Sequence, residues 1–114
     1  MKINRFEEII AWQKAKELTI VIYRLFNGSR DFGFRDQIQR ASVSIMNNIA
    51  EGFERKGNKE FMKFLFIAKG SCAEVRSMSY LALDLKYISQ SQLNDLQSRT
   101  EEISRLLSGF IKAL

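Results

Sequence analysis

The sequence predicts an all-α protein: an antiparallel, up-down-up-down four-helix bundle formed by a single domain over residues 1–114. Three observations carry that expectation. Apolar residues recur at helical spacing in four separate stretches. The breaks between the stretches are short and drawn from Gly, Asn and Ser. The chain also holds 0 Pro and only 6 Gly, too few for the tight turns of a β-sandwich. Amphipathic helices joined by loops of a few residues fold most simply with each helix running against the one before it.

The first helix is expected from about Phe6 to Phe26, where Ala11, Ala15, Leu18, Ile22 and Leu25 step by four and three along one face. Asn27-Gly28-Ser29 stops it, because Gly and Asn tolerate the left-handed backbone that ends helices. The second is expected from about Phe34 to Arg55, on a stripe of Phe34, Ile38, Ala41, Ile45 and Ile49. Gly57 is the expected stop and Asn58 the expected N-cap of the third helix. That helix runs from Lys59 to about Ile88, roughly 45 Å of rod. Ser89-Gln90-Ser91-Gln92 fits a capping box and opens the fourth helix. Its stripe of Leu93, Leu96, Thr100, Ile103, Leu107, Phe110 and Leu114 is heptad-like, as near-parallel packing requires.

One stretch holds more apolar surface than a four-helix core uses. Between Phe61 and Ala68 only Lys63 is polar, and Trp12, Tyr23, Tyr80 and Tyr87 lie off the main stripes. A helix apolar around its circumference must be covered on more than one side. Either long side chains of neighbouring helices cover it, or the chain self-associates through the outer faces of its first and third helices. The second reading assigns Trp12, Tyr23, Phe61, Phe64, Phe66 and Ile67 to the contact.

Composition narrows the chemistry. With 0 His and a single Cys, the common general base and most metal-ligand sets are missing, and no cofactor or metal is expected. Ser71 and Cys72 lie in a run of small residues, Gly70 to Ala73, that suits close helix packing better than nucleophilic catalysis. Ala41-Ser42-Val43-Ser44 reads the same way. Glu51 and Glu74 are plausible inward carboxylates with no third ligand to join them. Arg40 and Glu51 share a helical face; with Gln37, Asn48 and Glu74 they are expected to form a structural polar network, a functional site being the alternative. The expectation is a non-enzymatic protein.

Lone Cys72 forms no internal disulfide. The signal-like start, Met1 to Arg5, is followed by charges at Glu7, Glu8 and Lys14 that break any apolar core. No apolar run nears the roughly 20 residues of a membrane span. A cytoplasmic protein without membrane contact is expected.

The net charge is +5, from 18 Lys and Arg against 13 Asp and Glu. Arg55, Lys56, Lys59 and Lys63 cluster at the turn between the second and third helices, and Arg30 and Arg35 precede the second. By contrast, residues 90–114 balance Arg99, Arg105 and Lys112 against Asp95, Glu101 and Glu102. A charged turn of this kind is either simply solvated or contacts phosphates of RNA or DNA with little sequence preference.

The run from Gln37 to Gly52, and above all Asn48-Ile49-Ala50-Glu51-Gly52, resembles the signature of the bacterial four-helix-bundle family known from 23S rRNA intervening sequences. Trp12-Gln13-Lys14-Ala15 with Leu18 and Tyr23 resembles that family's first helix. Phe61, Phe64-Leu65, Ala68, Gly70-Ser71 and Glu74 resemble its third. The resemblance implies an antiparallel bundle assembled as a homopentameric ring, with no settled activity. A similar protein is the accessory factor of diversity-generating retroelements, where a basic pentamer binds nucleic acid and a reverse transcriptase. Gln37, Arg40, Asn48, Glu51 and Glu74 match family positions without a catalytic role. Two departures stand out: Met46 replaces a Pro common among relatives, and the loop before the second helix lacks the Pro often found there. A scaffold that recruits a partner enzyme is the alternative reading.

Overall fold

The computed structural model describes residues 2–114. Its helices are α1 (Ile10–Phe26), α2 (Phe32–Glu54), α3 (Asn58–Asp84) and α4 (Gln90–Ala113), with a 3-10 turn at Phe6–Glu8. Each helix packs on its predecessor and α4 closes back onto α1. The molecule measures 43 × 22 × 19 Å, one long helix in length and two helices in width. Among the described residues there is no strand.

The stripes expected for the first, second and fourth helices form the core with residues of α3, except that Leu25, Phe110 and Leu114 are only partly buried. Leu18, Ile22, Ile38, Ile45, Ile49, Leu65, Val75, Leu96, Ile103 and Leu107 are fully buried. Each such side chain contributes about 1.5–3 kcal/mol by leaving water. The few buried hydroxyls return to helix carbonyls: Thr19 to Ala15, Ser79 to Val75 and Thr100 to Leu96, at 2.8–2.9 Å. No described buried side-chain nitrogen or oxygen lacks a partner.

α2 starts two residues before the expected Phe34, and three further helix ends differ from expectation. Ile9 has an extended backbone (ψ 120°) that separates the 3-10 turn from α1, so α1 starts later than Phe6. The break sends Ile9 into the core, sets Phe6 edge-on against Trp12 at 5.2 Å, and is bridged by Gln13 Nε2 donating to the Glu7 carbonyl. At the second site Gly57, with φ +93°, is itself the N-cap and Asn58 is already helical. At the third, α3 ends at Asp84 rather than Ile88. Lys86 adopts φ +64°, its N–H bonds the Leu83 carbonyl and the Tyr87 N–H bonds the Ala82 carbonyl. This is a Schellman termination built on a lysine, which periodicity does not signal. The Ser89 capping box is present as expected, with both reciprocal bonds made.

The run of small residues is divided between two surfaces. Ser44 and Ser71 hydroxyls meet at 2.8 Å across α2 and α3, and Cys72 is buried. Gly70 instead faces open space, and the close approach falls at Gly52. A Cβ there would stand 2.5 Å from the Phe64 Cβ.

Alternating helix direction gives the bundle two distinct ends. One holds the α1–α2 loop and the α3–α4 loop. They are stitched together by the Tyr87 hydroxyl donating to Asp31 Oδ2 at 2.6 Å and by Tyr87 edge-on against Phe34. Asp31 also caps α2 by accepting from the Phe34 N–H. The hydrogen bond from Tyr87, with that from the Phe34 amide, holds the Asp31 carboxyl below the usual carboxylate range. The other end holds the N-terminal segment, the α2–α3 turn and the C-terminus.

Candidate functional site

The six candidate phosphate contacts do not form one patch. Arg55, Lys56, Lys59 and Lys63 lie together at the α2–α3 turn, as expected. Arg30 and Arg35 lie at the opposite end of α2, about 30 Å away along the helix. They are not auxiliaries of the turn cluster. Arg35 is half-buried, 3.3 Å from Asp36, with its guanidinium over the Phe32 ring.

Within the turn cluster the cations differ in availability. Arg55 pairs with Glu51 at 3.0 Å and lies over the Phe64 ring at 5.1 Å. Lys63 is 3.8 Å from Glu60, with both side chains in solvent, a pairing worth little. Lys56 and Lys59 are exposed, and no described carboxylate reaches either.

The expected polar network is not one network and is not buried. Gln37 donates to Glu74 at 3.3 Å, while Asn48 donates to the Ser44 carbonyl at 2.8 Å and Ser44 meets Ser71. Glu51 turns to Arg55 instead of Arg40, and Arg40 stands exposed at the edge of the α2–α3 groove. Glu51 and Glu74 both face solvent, so neither is an inward carboxylate. Among the described residues, no three Asp, Glu or Cys side chains gather to hold a metal ion. Cys72 donates to the Thr100 carbonyl, and burial pushes its thiol up to about 11, far from a reactive thiolate.

The surplus apolar surface is partly internal. Phe61, expected at an oligomer contact, is 8% exposed and packs against Phe53 and Phe110 at the end of the bundle. Trp12 is half-covered by Phe6 and Lys16, and Phe64 by Arg55. Phe66 and Ile67 remain 57% and 51% exposed, and Tyr23 is also open. Leu81 continues the open face along α3, whereas Tyr80, also exposed, turns to α4.

A second basic surface was not legible as a cluster. Lys69 and Arg76 on α3 and Arg105 and Lys112 on α4 meet along the α3–α4 groove. The sequence signal is two basic pairs, each seven residues apart, which places each pair on one helical face. Their proximity across the groove depends on how the helices pack.

These features define a class: a basic four-helix bundle whose polar chemistry lies on its surface rather than in its interior. The chain belongs to the family of 23S rRNA-intervening sequence proteins, whose family model matches residues 7–109. Among solved structures it resembles a protein of unknown function from the S23 ribosomal protein family of Bacteroides thetaiotaomicron. The two share 27% identity and a TM-score of 0.83, over 90% of this chain and 98% of that one. A search of curated proteins found no match. Among the described residues, no helix is long and apolar enough to cross a membrane.

Proposed function

We propose that this protein is a non-enzymatic binder of RNA or DNA that acts as a homo-oligomer. One observation carries the reading: the α2–α3 turn presents Arg55, Lys56, Lys59 and Lys63 on one end of the bundle, and Lys56 and Lys59 have no carboxylate partner among the described residues. Free cations on a rigid helical end suit phosphates, with backbone contacts outweighing base contacts. The family's association with 23S rRNA intervening sequences points the same way.

The exposed face of α3, carrying Phe66, Ile67 and Leu81, supports self-association. A homopentameric ring would repeat the basic end around an axis and raise avidity for a long polyanion. The same apolar face supports a second reading, in which the oligomer is a scaffold for a partner enzyme such as a reverse transcriptase.

Fluorescence anisotropy with a structured RNA and a DNA duplex, titrated from roughly 50 to 300 mM salt, tests the first reading. Affinity that falls steeply with salt supports it, and replacing the four turn cations by Gln should flatten the slope. Absence of binding at the low end transfers weight to the scaffold.

A further inference from the structure

The α3–α4 groove separates the charges of α4 by face. Of its three carboxylates, Asp95 pairs with Arg99, which also approaches Glu17 of α1. Glu102 lines the opposite groove, beside Ile9 and Ile10. Only Glu101 turns to α3, where it stands 3.5 Å from Arg76 with both side chains about half exposed. Lys112 lines the same side of α4, Arg105 stands between the two grooves and borders both, and no described carboxylate reaches either. The Lys69 ammonium is held by the Ser108 hydroxyl at 2.7 Å, a neutral partner that leaves its charge uncompensated. Four cations thus face one carboxylate.

The groove has shape as well as charge. Two clefts, about 380 and 500 Å³, share Arg76 and Ser104 and so run into one trough. Tyr80 stands at its far end, exposed, its hydroxyl accepting from Gln97 Nε2 at 2.6 Å. From Lys69 to Tyr80 the trough follows about 16 Å of helix. A stacked strand advancing 3.4 Å per nucleotide would place about five nucleotides along it. Its Lys112 end opens toward the end of the bundle that holds Lys56 and Lys59.

We infer that a single strand of nucleic acid lies in this trough. Lys69, Arg76, Arg105 and Lys112 contact successive phosphates, Ser104 and Ser108 supply neutral donors, and Tyr80 stacks on one base. Cations that track a backbone beside a pinned aromatic ring are the recognition chemistry of single strands. The inference rests on the nucleic-acid reading above and extends its contact surface from the turn along the trough.

Anisotropy of a labelled 12-nucleotide oligo-dT, with a hairpin duplex and poly-glutamate as competitors, tests it. The variants are Arg105→Gln/Lys112→Gln, Tyr80→Leu, and Lys56→Gln/Lys59→Gln as the comparison pair; circular dichroism checks that each is folded. The trough pair should lower the log–log salt slope by about 1.4, at about 0.7 per lost single-strand phosphate contact. Tyr80→Leu should weaken binding at least about fivefold with the slope unchanged, and should lose that effect on an abasic strand. If only the turn pair changes the slope, the trough is overturned and the wider reading stands. If the wild-type chain binds no nucleic acid, both fall. Displacement by poly-glutamate as effective as by unlabelled oligo-dT, or tighter binding of the duplex, overturns the single strand as occupant.

Discussion

Replacing Gly52 by Ala puts one methyl group where α2 comes closest to α3. The added Cβ would meet the Phe64 Cβ at 2.5 Å, the Phe61 ring at 3.0 Å and the Phe64 Cγ at 3.2 Å. Ordinary carbon contacts lie near 3.5–4.0 Å, so the shortfall is about 1 Å. The nearest atom is attached directly to the α3 backbone, so no rotamer change relieves it and the helix itself must withdraw. Overpacking of this kind costs about 1–3 kcal/mol, with a backbone-linked clash toward the upper end. Ala favours a helix interior over Gly by at most about 1 kcal/mol, which offsets only part. The expected net loss is about 1–2 kcal/mol, a fall in Tm of roughly 5–10 °C for a domain of this size. Gly109→Ala is the matched control: its Cβ meets nothing within 4 Å, so it should gain about 0.5–1 kcal/mol. Urea denaturation at equal protomer concentration reads both, since self-association would make stability depend on concentration. A Gly52→Ala midpoint at or above wild type, with unchanged m, refutes the close-approach argument.

Lys86→Gly should stabilise the chain by about 0.5–1 kcal/mol, because glycine adopts the left-handed φ without Cβ strain; an unchanged urea midpoint would contradict this. Asp31, with its folded pKa depressed, contributes stability that is present above its unfolded pKa and is lost as pH falls through the folded value. Tyr87→Phe removes the main cause, so the Asp31 carboxyl pKa followed by NMR should rise and acid unfolding should begin at higher pH. Cys72, with its thiol near 11, should be about one-thousandth ionised at pH 8. Iodoacetamide should therefore leave the native chain unmodified while labelling it promptly in urea, and fast native labelling would show the site to be open. Phe66→Glu/Ile67→Glu should leave the bundle folded and, if α3 carries the self-contact, yield monomers by light scattering; unchanged mass would direct the search to another face.

Helix number, order and core stripes were legible because burial imposes a 3.6-residue period on local sequence. Ala15, Ile38 and Ile103 sit where periodicity puts them. The ends of α1 and α3 were less legible. Ile9 breaks its helix to fill the core, and Lys86 terminates one in a conformation that residue type disfavours. Tertiary contacts enforce both choices: Phe6 on Trp12 in the first case, Tyr87 on Phe34 and Asp31 in the second. The polar residues of the family signature were located correctly along α2, but Arg40 and Glu51 share a face without meeting. Glu51 has Arg55 one turn away and needs no partner farther along.

Sequence alone determined the four helices, the absence of His and the excess of cations, because each is a property of one local stretch or of a sum. The placement of that charge needed the tertiary structure. Residues 90–114 sum to zero, yet helical geometry sends Asp95 and Glu102 away from α3 while Lys112 faces it and Arg105 reaches its edge. Antiparallel packing then brings Lys69 and Arg76 alongside. A sum of charges has no direction. An electrostatic surface does, and it exists only once the helices are packed.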